Sequence, residues 1–301
     1  MRAAIIECFQ NSEGAKQGTS ILAHIKNGKI IAHYLGIPYF ISPADLGYAA
    51  VQKFDTLIFT ASSRFAEHEH IKRIIANNKD ARFIYISNDY NTTPHSELNK
   101  YGFETICAYE TGERDTYFLN LNALMAKKPL KQIPKKYDCL YWGSFREGRE
   151  KDFKRYLHSG VYLSTMNKSQ KYFTAAGCTP NFVQKIDWNK SIASLFRYSL
   201  YIEDEETHSN FCNLANRWYE AGTYNMVTFF DKKCRRTIER SEIAKVYDDF
   251  YTVDSYETLM KRVLECNKDF QKHLKQQQEW HKLDFVAKEK TLEQIRQIVM
   301  R

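Results

Sequence analysis

Apolar positions along the first 125 residues follow two alternating rhythms. The short runs RAAIIEC, PYFIS, DTLIFTAS, ARFIYISND and FETICAYE have the length and the β-branched or aromatic content of buried strands. Segments with helical spacing lie between them. In SILAHIKNGKIIAHYLG the apolar residues Ile21, Leu22, Ile25 and Ile31 recur at helical intervals, and Gly36 marks the stop. RFAEHEHIKRIIANN is amphipathic and ends at Asn77 and Asn78. Strand and helix alternating over short links predict βαβ units and a parallel sheet.

The rhythm breaks at LNALMAKKPLKQIPKKYD, where two prolines and five lysines show no clear period, as in an interdomain linker. It then restarts. DCLYWGSF, GVYLST, NFVQKID, YSLYIED and NMVTFFD read as strands. REGREKDFKRYLH, NKSQKYFTAAG, residues 191–197 and FCNLANRWYEAG read as the helices between them. From SYETLMKRVLECNKDF to TLEQIRQIVMR the pattern is mostly helical. The expected fold class is therefore α/β, with two doubly wound (Rossmann-like) domains facing across a cleft and a helical C-terminus. The domains span residues 1–125 and 138–275, joined by a linker over 126–137, and 276–301 form a helix packing back on the first domain. Open sheets of this kind bind ligands beyond the carboxyl ends of their strands.

Composition narrows the classes. The chain has 301 residues, long enough for two such cores, and no low-complexity tract. MRAAIIECFQ lacks a signal peptide's apolar stretch, and no run approaches the ~18 apolar residues of a membrane span, so a cytoplasmic protein without membrane contact is expected. Seven cysteines are dispersed without a CxxC pair, which suits buried reduced thiols and predicts neither disulfides nor a metal site. The net charge of +8 is shared by both halves. It is compatible with an acidic macromolecular partner and equally with ordinary solvation.

Two stretches carry candidate chemistry. In YWGSFREGRE an apolar strand meets Gly143, and Arg146 and Arg149 follow at once. A strand-to-helix junction offers backbone N–H groups to an anion, Gly143 permits close approach, and arginine pairs phosphate bidentately. Neither GxGxxG nor GxxxxGK[ST] is present. The spacing also permits a solvated helix in which the arginines pair with Glu147 and Glu150. The second stretch, EDEETHSNFCNLANRWYEAGTYNMVTFFD, runs from an acidic strand end into a helix. Its carboxylates suit sugar hydroxyls, and a helix start near residues 209–213 would offer amides. The alternative is an acidic loop with a structural Arg217–Glu220 pair at i,i+3.

Together, GSFREGRE after the first strand of a second domain and NRWYEAGTYNMVTFFD downstream resemble the donor domain of GT-B-fold nucleotide-sugar glycosyltransferases. GKIIAHYLGIPY and YISNDYNTTPHSEL in the first domain are similar to acceptor-side stretches of bacteriophage enzymes that glucosylate 5-hydroxymethylcytosine in DNA, the α type above all. The resemblance implies a UDP-sugar as co-substrate with no tightly bound cofactor, double-stranded DNA as acceptor, a monomer, and a setting in the cytoplasm of an infected bacterium. It implies Gly143, Ser144, Arg146 and Arg149 at the donor diphosphate, Glu220 at the ribose, and His208, Ser209, Asn210 and Asn213 at the sugar. Many retaining relatives carry another glutamate eight residues before the ribose glutamate; here that position is Cys212, which leaves the donor sugar open.

Transfer to a hydroxyl benefits from a group that takes its proton. Asp89, at the carboxyl end of ARFIYISND, is the best-placed carboxylate of the first domain for that catalytic role, an Asx-turn residue being the alternative. Lys16, Arg64, Lys72 and Arg73 are candidate nucleic-acid contacts. A GT-B enzyme acting on a glycan or lipid-linked acceptor, or a non-catalytic two-domain ligand or nucleic-acid binder, remain as alternatives.

Overall fold

The computed structural model describes residues 2–7, 19–41, 43–60, 69–87, 101–109, 116–183, 192–203 and 213–301. The chain divides into two compact units, Met1–Met125 with Ala287–Arg301, and Ala126–Val286.

The first unit is built on strands β1 (Ala3–Glu7), β2 (Tyr39–Phe40), β3 (Thr56–Thr60), β4 (Arg82–Ser87), β5 (Glu104–Cys107) and β6 (Thr116–Phe118), in the spatial order β2-β1-β3-β4-β5-β6. Every pairing is parallel, with Ile58 opposite both Ile5 and Ile84. β1 and β3 are buried at every position, as parallel strands covered on both faces must be. Helices α1 (Thr19–Leu35), α2 (Pro43–Ala49) and α3 (Glu69–Asn77) provide crossovers. Helix α1 turns Ile25 and Ile31 inward and ends at Gly36, whose φ of +66° suits glycine at a helix stop. Phe59, Phe83 and Phe103 form an aromatic knot, with centroids 5.2 Å apart for Phe59–Phe103 and 5.3 Å for Phe83–Phe103. The sequence rhythm passes over β6 and α2, which are too short to show a period.

The second unit carries β7 (Tyr137–Trp142), β8 (Val161–Ser164), β9 (Asn181–Val183), β10 (Phe196–Tyr201), β11 (Val227–Asp231) and β12 (Thr252–Val253), in the order β12-β11-β10-β7-β8-β9, again all parallel. Its helices are α4 (Glu150–Tyr156), α5 (Asn167–Ala175), α6 (Asn216–Thr223), α7 (Arg235–Glu239), α8 (Tyr256–Asn267) and α9 (Phe270–Val299). The expected helix over 191–197 is only a 3₁₀ turn, Ile192–Leu195, because Phe196 already pairs with Tyr137 in the sheet. Residues 126–136 have no regular structure, yet they are tied down. Leu130 N donates to Thr223 O at 2.9 Å, Lys135 Nζ to Tyr224 O at 2.8 Å and Lys136 N to Leu195 O at 2.8 Å.

Helix α9 is 30 residues long. In the second unit, the Gln277 amide behaves like a strand edge: its Oε1 accepts from Thr228 N at 2.8 Å and its Nε2 donates to Thr228 O at 3.0 Å. The last turns belong to the first unit, where Thr291 Oγ1 donates to Asn120 O at 3.3 Å and Arg82 donates to Ile298 O. The doubly wound α/β class read from the sequence is the class observed. Among the described residues no helix is long and apolar enough to cross a membrane.

Candidate nucleotide-sugar site

In the second sheet the chain winds outward in one direction from β7 and in the other from β10, so these adjacent strands form the topological switch point. Ligands of open α/β sheets collect beyond the carboxyl ends of such strands. Trp142 and Gly143 close β7 here, and Ile202 and Glu203 follow β10.

Three charged side chains meet at this edge, and all are nearly inaccessible: Arg149 at 6% exposure, Glu203 at 4% and Arg217 at 9%. Arg149 pairs with Glu203 Oε2, and Arg217 Nη1 reaches Glu203 Oε1 at 2.6 Å. Arg217 is held further by Nε donating to Trp142 O at 3.1 Å and Nη1 donating to Ile202 O at 3.1 Å. Its guanidinium lies 4.7 Å from the Tyr141 ring centroid. Burial works against the charge of Arg217, but Tyr141 and Glu203 outweigh it and the pKa is raised; the group stays cationic.

Local sequence explains the placement. Arg146 is extended and opens a 3₁₀ turn, Glu147–Arg149, that leads into the seven-residue α4. The turn aims Arg149 inward and leaves Ser144 and Arg146 exposed. Gly143 has φ +156°, and a Cβ there would sit 3.1 Å from Arg217 Nη2 and 3.2 Å from Tyr141 Oη. The close approach that glycine permits is thus made by the protein's own guanidinium. In α6, Arg217 and Glu220 share one face at i,i+3 but do not serve one another. Arg217 goes to Glu203, while Glu220 Oε2 accepts from Trp142 Nε1 at 2.9 Å.

Several expectations need correction. Within FCNLANRWYEAG the helix begins at Asn216, after Ala215, whose N–H donates to Tyr201 Oη at 2.7 Å; Asn213 is buried in the bend before it and starts no helix, and residues 209–212 lie outside the described residues. Arg149 pairs with neither Glu147 nor Glu150; Glu150 bonds Lys154 at 2.7 Å. Glu203, one of the strand-end carboxylates assigned to sugar hydroxyls, is instead enclosed by two arginines. Asp231, the other strand end, accepts from Tyr156 Oη, from Arg155 Nη1 at 3.2 Å and from Lys233 N at 2.9 Å. His208, Ser209 and Asn210 lie outside the described residues, as do Asp89, Lys16 and Arg64.

Sequence reasoning did not join Arg217 and Glu203 to Arg149: it read Arg217 as a partner of Glu220 and Glu203 as a group for sugar hydroxyls. The signal was a charged pair flanking one loop, a strand-end glutamate and an arginine in the first helical turn beyond. It also missed Glu7, a fully buried carboxylate at the end of β1 in the first unit, which takes a hydrogen bond from Tyr39 Oη at 2.9 Å. β1 and β3 are the switch point of that sheet. Of the nucleic-acid candidates, Arg73 pairs with Glu69 at 3.4 Å on an exposed face of α3. Lys72 lines a shallow apolar recess with Ile75, Lys79, Phe83 and Tyr101, toward the amino ends of the strands. Among the described residues no three His, Cys, Asp or Glu side chains gather as a metal cage.

No family model and no curated protein sequence matches the chain. Solved structures do. The T4 phage beta-glucosyltransferase in complex with UDP-glucose superposes with a TM-score of 0.72 at 17% identity, covering 99% of both chains. An alpha-glucosyltransferase in complex with UDP-glucose and DNA containing an abasic site gives 0.63 at 12% identity, covering 100% of both. The pneumococcal O-GlcNAc transferase GtfA gives 0.51 at 9% identity, over 85% of this chain and 58% of its own. The fold is GT-B. At such identities the likeness is one of architecture, and what the site does has to be argued from its own residues.

Proposed function

We propose that this protein is a glycosyltransferase that moves a sugar from a UDP-sugar, UDP-glucose first among them, to a hydroxylated base such as 5-hydroxymethylcytosine in DNA. The observation that carries the reading is the buried Arg149–Glu203–Arg217 cluster at the switch point of the second sheet. Two guanidiniums held at a strand end suit a diphosphate, and they gain force in a site that excludes water. In the transfer the acceptor oxygen bonds the anomeric carbon while the bond from that carbon to the diphosphate oxygen breaks. Negative charge then grows on the departing UDP, and Arg149 and Arg217 face it, with Gly143, Ser144 and Arg146 on the loop around it. Glu220, oriented by the Trp142 indole, is the acceptor for the ribose hydroxyls. His208, Ser209, Asn210 and Asn213 form the sugar side, and Asp89 takes the proton of the attacking hydroxyl.

The acceptor assignment draws on the architecture shared with DNA glucosyltransferases and on the net charge of +8. A duplex base is reached by flipping it out, at a cost of a few kcal/mol. The place of action is the cytoplasm of an infected bacterium. Incubation with UDP-glucose and hydroxymethylated duplex DNA, followed by mass measurement of the digested nucleosides, is expected to show one hexose per modified base. Hexose on a glycan or protein acceptor and none on DNA would reassign the acceptor, and no hydrolysis or transfer with any UDP-sugar would remove the enzyme reading.

A further inference from the structure

The site contains one charge more than a phosphate cradle needs. Glu203 lies between the two guanidiniums, its Oε2 on Arg149 and its Oε1 on Arg217 Nη1 at 2.6 Å, in the position where an anion bridging both would compete for them. Its neighbours fix it there. Ile202, one residue earlier, gives its carbonyl to Arg217 Nη1 at 3.1 Å, so backbone and carboxylate grip the same nitrogen. All three charged residues are more than nine-tenths buried, so solvent screens little of the attraction. Two guanidiniums without a carboxylate would repel across a poorly solvated edge; Arg149 already lowers the pKa of Arg217 in this way.

Resting on the donor-site reading above, we propose that Glu203 is a built-in counter-anion of the Arg149–Arg217 pair, with which the phosphates of a nucleotide must compete. The carboxylate then has two consequences. It keeps the guanidiniums aligned by giving both the partner they need. It also sets an upper limit on nucleotide affinity, because every arginine bond given to a phosphate oxygen is one withdrawn from Glu203. The product UDP carries more negative charge than a UDP-sugar and would hold two uncontested arginines hardest. A competing carboxylate therefore acts most on product release, a step that limits turnover in many enzymes. Specificity falls on the phosphate part of the ligand alone, since Glu203 touches the phosphate-binding arginines and Glu220 is held separately by Trp142.

Calorimetry on the full chain separates these contributions, using UDP, pyrophosphate and uridine as probes. Glu203→Gln keeps the shape and one of the two acceptor oxygens, turns an NH2 toward the other guanidinium and removes the charge. It is expected to bind UDP and pyrophosphate about tenfold or more tightly than the natural protein, with uridine affinity unchanged. Glu203→Asp, which retracts the carboxylate by one methylene and serves if the glutamine variant does not fold, is expected to tighten pyrophosphate binding several-fold. Natural protein that binds UDP, together with variants whose pyrophosphate affinity is equal or weaker, overturns the inference, as does a uridine affinity that shifts in step. Natural protein that binds neither UDP nor pyrophosphate sinks the donor-site reading, and the inference with it.

Discussion

The two sheets have similar doubly wound architecture and opposite chemistry at their carboxyl edges. At the switch point of the second sheet two arginines and one glutamate are buried together. At that of the first, β1 ends in a buried carboxylate, Glu7, bonded by a tyrosine hydroxyl, and β3 ends in the buried Thr60. One edge is equipped to hold developing negative charge, the other presents an acidic group. The transfer proposed above calls for both kinds of group, cations for the leaving phosphates and a group that can receive a proton. The fold supplies the place in each case, and the strand-end residues decide the chemistry.

The comparison breaks most visibly by removing one arginine. Arg217→Ala is expected to lower UDP affinity by about a hundredfold or more and to cost about 3–5 kcal/mol of stability, since Glu203 would remain buried with half its partners gone. Calorimetry and thermal unfolding measure the two effects. Asp89→Asn is the counterpart in the first unit: sugar transfer is expected to fall while UDP affinity stays at the natural value. If Asp89→Asn turned over at full rate, Asp89 would be a turn residue and the acid of the first unit would have to be sought elsewhere, with Glu7 next.

Gly143→Ala tests how tightly the cationic edge is fitted. The new methyl would meet Arg217 Nη2 at 3.1 Å on a backbone whose φ of +156° L side chains rarely adopt. UDP affinity is expected to drop by about tenfold through displacement of the guanidinium, since a tenth of the affinity corresponds to about 1.4 kcal/mol. Unaltered binding would mean that the loop yields and that Arg217 is not held by close packing against Gly143.

What the sequence made legible follows from range. β1, β3, β4, β7, β10 and β11 are apolar runs bounded by polar residues, and α1, α3 and α8 carry their periods openly, so the doubly wound class emerges from local patterning. Arg149 drew notice because an arginine pair follows a glycine at a strand end in YWGSFREGRE. Arg217 was read as a local partner of Glu220 because i,i+3 spacing is all a sequence displays. Its real partner, Glu203, stands fourteen residues earlier, across a loop and on another element. Glu7 escaped for a similar reason: Tyr39 reaches it only because β2 lies beside β1 in the sheet. The acid cluster behind α6 is harder still, since Glu242 and Asp284 come from segments about forty residues apart.

That cluster gives the second unit a pH signature. The His281 ring stacks on Trp218 at 3.9 Å and fills the space left by Gly222, while Nδ1 meets Asp284 Oδ2 at 2.6 Å. Trp218 Nε1 donates to the other Asp284 oxygen at 3.0 Å, and Tyr219 Oη donates to Glu242 at 2.7 Å. Burial, then the neighbouring Asp284 carboxylate, raises Glu242 to about 7, and burial raises Asp284 to about 7. Burial lowers His281 to about 3. The folded protein therefore holds carboxyl protons that the unfolded chain releases near pH 4, and this contribution fades as pH rises toward 7. The histidine works oppositely: its neutral form is favoured by folding, and that contribution fades as pH falls below 6.5 toward 3. With two carboxyls against one imidazole, the melting temperature is expected to decline from pH 5 to pH 8. Asp284→Asn should flatten that slope; an unchanged slope would place its origin outside this cluster.

The smallest expected effect concerns the surface of the first unit. Arg73 is exposed and shares its charge with Glu69 one helical turn away, so releasing it costs little and replacing it should leave folding and UDP affinity intact. If Arg73 contacts a DNA phosphate, Arg73→Ala weakens binding alike for all sequences and lowers the slope of log affinity against log salt by about one. Lys72 is a sharper discriminator, because it lies one residue earlier on the same helix but faces the recess with Ile75 and Lys79, whereas Arg73 shares the face of Glu69. A DNA track over the face that carries Glu69 and Arg73 would leave the Lys72→Ala salt slope at its natural value while Arg73→Ala lowers it. Equal losses from both would extend the track around helix α3, and no loss from either would move it onto residues of another element.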